Sequence, residues 1–474
     1  MPPPLALLLG YGTVFWLIRQ DMRWRSLASR VLLICAVFLG IIGSRPLSYW
    51  LGSYGGSSEG NPINTAFFGF LIVVSLVTLS ARGVSLATFL GSNKTLFLLY
   101  GFFLLSALWS VDTGTSAKRL MKDFVCVLIA LVIRTSPDPV NACRCLFVRV
   151  SYVLFPMSVV FGKYFPGIGR SFSMGGEPMF TGVTTQKNSL GEIAFVFGLF
   201  LLWELSDLIR DGAWKSDRRR VLITAGVLAT GMWLLIVCDS KTSLICLLLA
   251  AVLFLARPWF LRRRNGKSLL TAMLIAFMGL FAVDNVVGFS ETALKALNRN
   301  PTLTGRTEIW RLTLEQQHEP MLGGGFYMFW DSDKGRAIAD ALISLNSAHS
   351  GYIETYLDGG IVGCVLLGLF LLAIGISAIN RYFEDADFAL LALPIWVSAV
   401  LYNLSEVSYL RLDPLWFTLL LVTMKLPGAV RAPQAAPAPL DDASTLQSRT
   451  AGNGSRIHPR TPQFAPSRRA SIPF

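Results

Sequence analysis

Long uninterrupted apolar runs, separated by short loops rich in arginine, constrain this chain more than any other feature. A bilayer hydrocarbon core about 30 Å thick takes roughly 20 apolar residues per helix. That ruler predicts spans near residues 4–18, 31–51, 63–81, 95–109, 120–134, 146–163 and 189–209. Further spans fall near 221–238, 243–257, 268–288, 352–378, 388–405 and 413–426. The runs lack the alternation of barrel strands, so the expected fold is an all-α polytopic membrane bundle of about 12–13 spans. Of 474 residues, 53% are hydrophobic and only 15% charged, against about 25% charged in soluble proteins. A large soluble domain, a disordered chain and a secreted disulfide scaffold are excluded. Seven cysteines and three histidines are too few and too scattered for a thiolate or histidine metal cluster. Cys35, Cys126, Cys238, Cys246 and Cys364 lie in or beside apolar runs, where the thiol acts as a small hydrophobe.

Arginine placement sets the expected orientation. Arg19, Arg23, Arg25 and Arg30, then Arg82, then Arg134, Arg144 and Arg149 fall in one set of alternate loops, and Arg210 to Arg220 and Arg257 to Lys267 continue it. By the positive-inside bias that set faces the cytoplasm. The first apolar run has no Lys or Arg before Arg19, so it does not read as a signal peptide. Four regions are expected: N-terminal transmembrane helices over 1–288, a large periplasmic loop over 289–350, C-terminal transmembrane helices over 351–426, and a tail over 427–474. The tail carries Ala-Pro repeats and six arginines against Asp441 and Asp442. It has no apolar period with which to fold and is expected to be a disordered cytoplasmic tail near anionic lipid. The formal charge of +13 is then topology and tail, not a nucleic-acid footprint.

Two outer segments exceed simple connectors: 164–188, and 289–350. The second holds Trp310, Phe326, Tyr327, Phe329 and Trp330. A helical pattern begins at Thr304, with Glu308 in its first turn. Short helices on the outer surface are expected, with the aromatics either packed together or anchoring at the interface. Arginine forks in these loops suit phosphate oxygens. A histidine can take a proton from a hydroxyl near neutral pH. There is no Walker or Rossmann fingerprint, and Asp331 and Asp333 are weak evidence for a metal. An activated donor outside the cytoplasm therefore has to be lipid-linked.

Eight segments, in order, carry a resemblance: GSRPLSYWLG (43–52), SALWSVDTGTSAKR (106–119), GRSFSMGGEPMFTGVTTQKNSLG (169–191), DSKTS (239–243), GRTEIW (305–310), PMLGGGFYMFW (320–330), AHSGYIETYLDGGIVG (348–363) and NLSE (403–406). Together they resemble the bacterial O-antigen ligase and polysaccharide polymerase superfamily, especially its exopolysaccharide-production branch. The resemblance implies a metal-independent, inverting glycosyltransferase without cofactor, at the periplasmic face of the inner membrane. Its donor and acceptor would be oligosaccharides on undecaprenyl diphosphate. Membrane lipid, chain-length regulators and export proteins would be its other partners, and nucleic acid would not.

The family's base maps onto His349, and its diphosphate-holding arginines onto Arg306 and Arg170. Many relatives carry arginine where this chain has Thr181, and asparagine where it has Ser350. Lys187, Lys118, Arg119 and Glu406 join the candidate substrate-binding set. Lys187 and Asn188 equally fit helix capping. Lys118 and Arg119 lie outside against the charge bias, where Asp112 or Asp123 offers pairing. Glu406 and Asn403 fit either pairing with an arginine or positioning an acceptor. A terminal glycan ligase and a lipid-linked sugar flippase stay open as alternatives to a polymerase.

Overall fold

The computed structural model describes residues 1–25, 30–53, 61–172, 176–287, 304–317, 319–341, 347–384 and 388–426. The expected tail and two further basic residues of the large loop, Arg299 and His318, lie outside the described residues. Every predicted span has a helical counterpart. The helices are α1 (Pro3–Trp24), α2 (Val31–Ile42), α3 (Leu47–Trp50), α4 (Pro62–Ala81), α5 (Leu86–Ser92), α6 (Lys94–Ser106), α7 (Thr113–Arg134), α8 (Pro139–Tyr164), α9 (Pro166–Gly169) and α10 (Lys187–Arg210). They continue as α11 (Ala213–Ser216), α12 (Arg218–Val237), α13 (Lys241–Leu261), α14 (Gly266–Val287), α15 (Thr304–Glu315), α16 (Asp333–Ala341), α17 (Gly351–Tyr382), α18 (Ala389–Ser405) and α19 (Pro414–Thr423).

Three helices start with the same local chemistry. Asn61, Asp138 and Asp413 each accept a backbone N–H of the first turn, and each precedes a proline. The cap oxygen satisfies an orphan donor, and proline at the first helical position lacks the donor that would be orphaned. Asp112 caps α7 without the proline, accepting from Thr115 N at 3.0 Å.

The described residues hold five helices long and apolar enough to cross a membrane, or six if the bent pair α5–α6 is one span. Shorter apolar helices, including α2, α18 and α19, accompany them. The chain is thus an all-α polytopic membrane protein. α1, α7 and α10 are 22, 22 and 24 residues long but carry charged side chains. The expected span over 31–51 is broken between α2 and α3 by the segment Gly43–Pro46.

Burial sorts the helices into layers. The most apolar window of α8 is 78% buried, against 28% for α4 and 33% for α13. All ten residues of α19 and most of α10 are buried as well. This burial places α8, α10 and α19 in the inner layer, with α4, α12, α13 and α17 facing outward. At the arginine-rich ends, Arg25 pairs with Glu204, Arg149 with Asp21, Arg220 with Glu204 at 2.7 Å and Arg144 with Asp207 at 2.7 Å. These pairs tie α1, α8, α10 and α12 together.

Among the described residues the only strands are β1 (Arg170–Phe172) and β2 (Pro178–Phe180), paired antiparallel with Arg170 opposite Phe180. This hairpin folds the first outer loop back on the end of α8, where the Phe180 ring lies against Gly162.

The longest helix, α17, is broken at Gly360, whose φ of 59° and ψ of −158° are not helical. The GGG segment fills the break. Gly324 and Gly325 N–H donate to the Leu357 and Asp358 carbonyls at 2.9 Å each, and Ile361 and Val362 N–H donate to Pro320 and Met321 at 2.8 and 3.1 Å. Backbone groups freed from a helix in apolar surroundings need such partners. A Cβ on Gly323 would lie 2.4 Å from the Asp358 carbonyl carbon, so the close approach requires glycine.

Candidate functional site

Two carboxylates at the ends of helices organise the residues beneath the outer loops. Glu406 follows α18. Its Oε1 accepts from Arg306 Nη2 at 2.6 Å and from Asn188 Nδ2 at 2.7 Å, and His349 Nδ1 lies 3.8 Å from Oε2. Arg306 comes from α15, Asn188 from the start of α10, and His349 from the residues before α17. One buried carboxylate thus gathers three chain segments. Gly351 N–H donates to the Glu406 carbonyl at 2.9 Å, and the Asn403 side chain receives Ser408 and Tyr409 N–H at 2.8 and 3.0 Å. The NLSE segment is thereby shaped by its own asparagine.

Glu354, one turn into α17, is the second hub. It accepts from Ala348 N at 2.6 Å, Trp330 Nε1 at 3.0 Å and Arg411 Nη2 at 3.1 Å. Arg411 also reaches Asp358 at 3.3 Å, and its guanidinium lies 3.8 Å above the Tyr327 ring. Burial works against the charge on Arg411, but Asp358, Tyr327 and Glu354 outweigh it and hold the guanidinium more firmly protonated than usual. Arg119 approaches the Tyr327 ring at 4.8 Å and pairs with Asp331.

Of these groups, Arg119, Asn188, Tyr327, His349, Glu354, Glu406 and Arg411 line a cavity of about 380 Å³, with Lys122, Asp123, Glu192, Tyr402 and Asp413. Tyr327, His349 and Leu410 line it in the left-handed region, at φ of 56°, 51° and 56°. Non-glycine residues rarely adopt that conformation, and such strain collects at working sites held by their surroundings. The mixed charge gives the cavity cations for an anionic group beside carboxylates for hydroxyls. Among the described residues, no cluster of three His, Cys, Asp or Glu side chains is arranged to hold a metal.

The candidate residues separate by position. His349, Arg119 and Glu406 line the cavity, and Arg306 reaches it through Glu406. Arg170 lies on the β-hairpin with Nε donating to the Gly162 carbonyl at 2.9 Å. Lys187 sits 3.9 Å from Asp239, and Lys118 is exposed on α7. None of these three lines the cavity. Asp112 is taken up as the α7 cap, while Asp123 receives the Tyr100 hydroxyl at 2.5 Å. Thr181 is fully buried, its hydroxyl without a hydrogen-bond partner.

Arg411, Glu354, Asp358, Glu192 and Asp413 went unnoticed in the sequence. The faint signal for Arg411 was an arginine in a polar stretch between two apolar runs. The loop aromatics are packed rather than anchored: Trp310, Phe329 and Trp330 form a small core with Ile338, Ala348 and Leu357, and Phe326 joins the main core.

The chain is thus a polytopic α-helical membrane bundle that encloses an ionic cavity of mixed charge. Residues 225–368, from α12 through the large loop into α17, match the family model described as O-antigen ligase. The chain is also 26% identical over 313 residues to the exopolysaccharide production protein ExoQ of Rhizobium meliloti (strain 1021), covering 63% of this chain and 69% of that protein. Both matches support the O-antigen ligase and polymerase-like superfamily reached from the motifs, and with it a polysaccharide ligase or polymerase-like role.

Proposed function

We propose that the protein is a polymerase of the bacterial inner membrane that joins undecaprenyl-diphosphate-linked oligosaccharide repeats at the periplasmic face during exopolysaccharide production. The observation that carries this reading is the meeting of Arg306 and His349 on Glu406 beside the cavity. His349 takes the proton of the acceptor hydroxyl. That oxygen bonds to the anomeric carbon of the donor, the bond from that carbon to the diphosphate oxygen breaks, and undecaprenyl diphosphate leaves. One displacement inverts the anomeric centre.

Arg306 and Arg119 neutralise the departing diphosphate, taking the part a divalent ion plays elsewhere. Arg170, Lys187 and Lys118, which stand off the cavity lining, serve the approach of the donor. Glu406 orients the imidazole and Arg306, as a carboxylate partner fixes a catalytic histidine. The name of the relative supports a place in exopolysaccharide production. The name of the matched family supports a second reading, transfer of a finished glycan to a terminal acceptor.

The lipid-linked pool of a deletion strain separates these readings. Accumulated single repeats on the carrier are the expected result. Long chains on the carrier would establish the ligase instead, and repeats trapped on the inner leaflet would establish a flippase.

A further inference from the structure

An apolar groove of about 840 Å³ lies between α1, α2 and α8, away from the catalytic residues proposed above. One end, beside Ser44 and Trp50, approaches the polar cavity; the other is lined by Arg25, Arg30 and Arg149. The walls between are aliphatic, from Leu33 and Val37 of α2 and Val153 and Leu154 of α8.

Arginine at that end exceeds what the local carboxylates absorb. Asp21 is shared by Arg25 and Arg149. Glu204 is shared by Arg25, Arg144 and Arg220. Arg25 is only 8% exposed, yet its Nη1 has no hydrogen-bond partner. Arg25 draws on those two shared carboxylates, so this end of the groove keeps a net positive charge. Arg30 is exposed beside it.

The level of this end is marked independently. Arg219 stacks 5.5 Å from Trp16 and Arg220 5.9 Å from Trp24; tryptophan and arginine together are the signature of the headgroup layer. The twelve residues of α2 rise about 18 Å, slightly more than the roughly 15 Å of one hydrocarbon leaflet.

We propose that this groove binds an anionic diacyl phospholipid, its phosphate against Arg25 and Arg30 and an acyl chain along α2 and α8. A polyprenyl diphosphate fits poorly. With its head in the polar cavity, its hydrocarbon end would meet three arginines. The site is independent of the catalytic reading.

The full chain, reconstituted in phosphatidylcholine with or without phosphatidylglycerol and then extracted into detergent, can be weighed by native mass spectrometry with its retained lipid. Phosphatidylglycerol should be retained over phosphatidylcholine. Arg30→Gln removes an exposed charge and should lower that retention about fivefold. Gly40→Phe projects a ring into the groove, since Gly40 lines it and a Cβ there meets nothing within 4 Å; it should abolish retention while thermal unfolding shows a folded protein. Equal retention of both lipids, or unchanged retention in both variants, would overturn the proposal. So would displacement of phosphatidylglycerol by undecaprenyl diphosphate in a manner lost with Gly40→Phe, which would give the groove to the donor tail.

Discussion

Glu406 touches Arg306 and Asn188 and faces His349, so its charge bears on three candidate groups at once. Glu406→Gln keeps an oxygen for Asn188 but removes that charge. It should lower polymer formation roughly ten- to a hundredfold, the 1.5–3 kcal/mol of a hydrogen bond to a charged group. Chain-extension rates in membranes from the variant check this, and an unchanged rate would remove Glu406 from the mechanism. Thr181 gives the opposite sign. Its buried hydroxyl is unsatisfied, so Thr181→Val should leave the protein as stable or up to about 1 kcal/mol more stable, read as an equal or higher thermal midpoint in detergent. At this scale the sequence disclosed His349 and Arg306 because each sits in a distinctive motif. Arg411 and Glu354 were hidden because their importance comes from contacts across 57 residues of chain, which no local pattern records.

The broken helix α17 determines where the site forms. Gly360 turns the chain, and the backbone groups it frees are met by the PMLGGG segment, which leads to Phe326 and Tyr327. Phe326 N–H is held by Ser106 Oγ at 3.0 Å, placing Tyr327 beside Arg119 and Arg411. Gly360→Ala puts a side chain where the backbone conformation excludes one and 2.4 Å from Met321. The cost of such strain is about 1–3 kcal/mol, and a lower thermal midpoint together with lost polymer formation is expected. A midpoint equal to the unsubstituted protein would contradict the role given to the break. Apolar runs disclosed the long helices, since a continuous hydrophobic stretch in lipid has little alternative to a helix, whereas short helices such as α5, α9 and α11 fall outside every run. The break was illegible: Gly359 and Gly360 sit in an apolar run that reads as unbroken, and only the docked loop makes it stable.

Across the whole molecule, the two ends of the bundle use charge differently. The arginine-rich end pairs Arg25, Arg144, Arg149 and Arg220 with three carboxylates and anchors the helices. The opposite end arranges charges around an open cavity. The apolar patterning made the membrane class plain, and the motif order pointed to the superfamily that both comparisons support. Fewer of the described helices are long and apolar enough to cross a membrane than the 12–13 expected spans, because α2, α18 and α19 are short and inner helices such as α7 and α10 tolerate charged groups inside protein that lipid-facing helices would not.

In the proposed chemistry His349 removes the acceptor proton in the cavity, and Arg306, joined to it through Glu406, receives the diphosphate. The most direct measurement is chain extension by the purified protein in vesicles supplied with lipid-linked repeat units, comparing the unsubstituted chain with His349→Ala. His349→Ala should lower extension roughly 10²- to 10⁴-fold, the contribution of a positioned base, with the thermal midpoint unchanged. Normal polymer lengths at a normal rate from His349→Ala would contradict it.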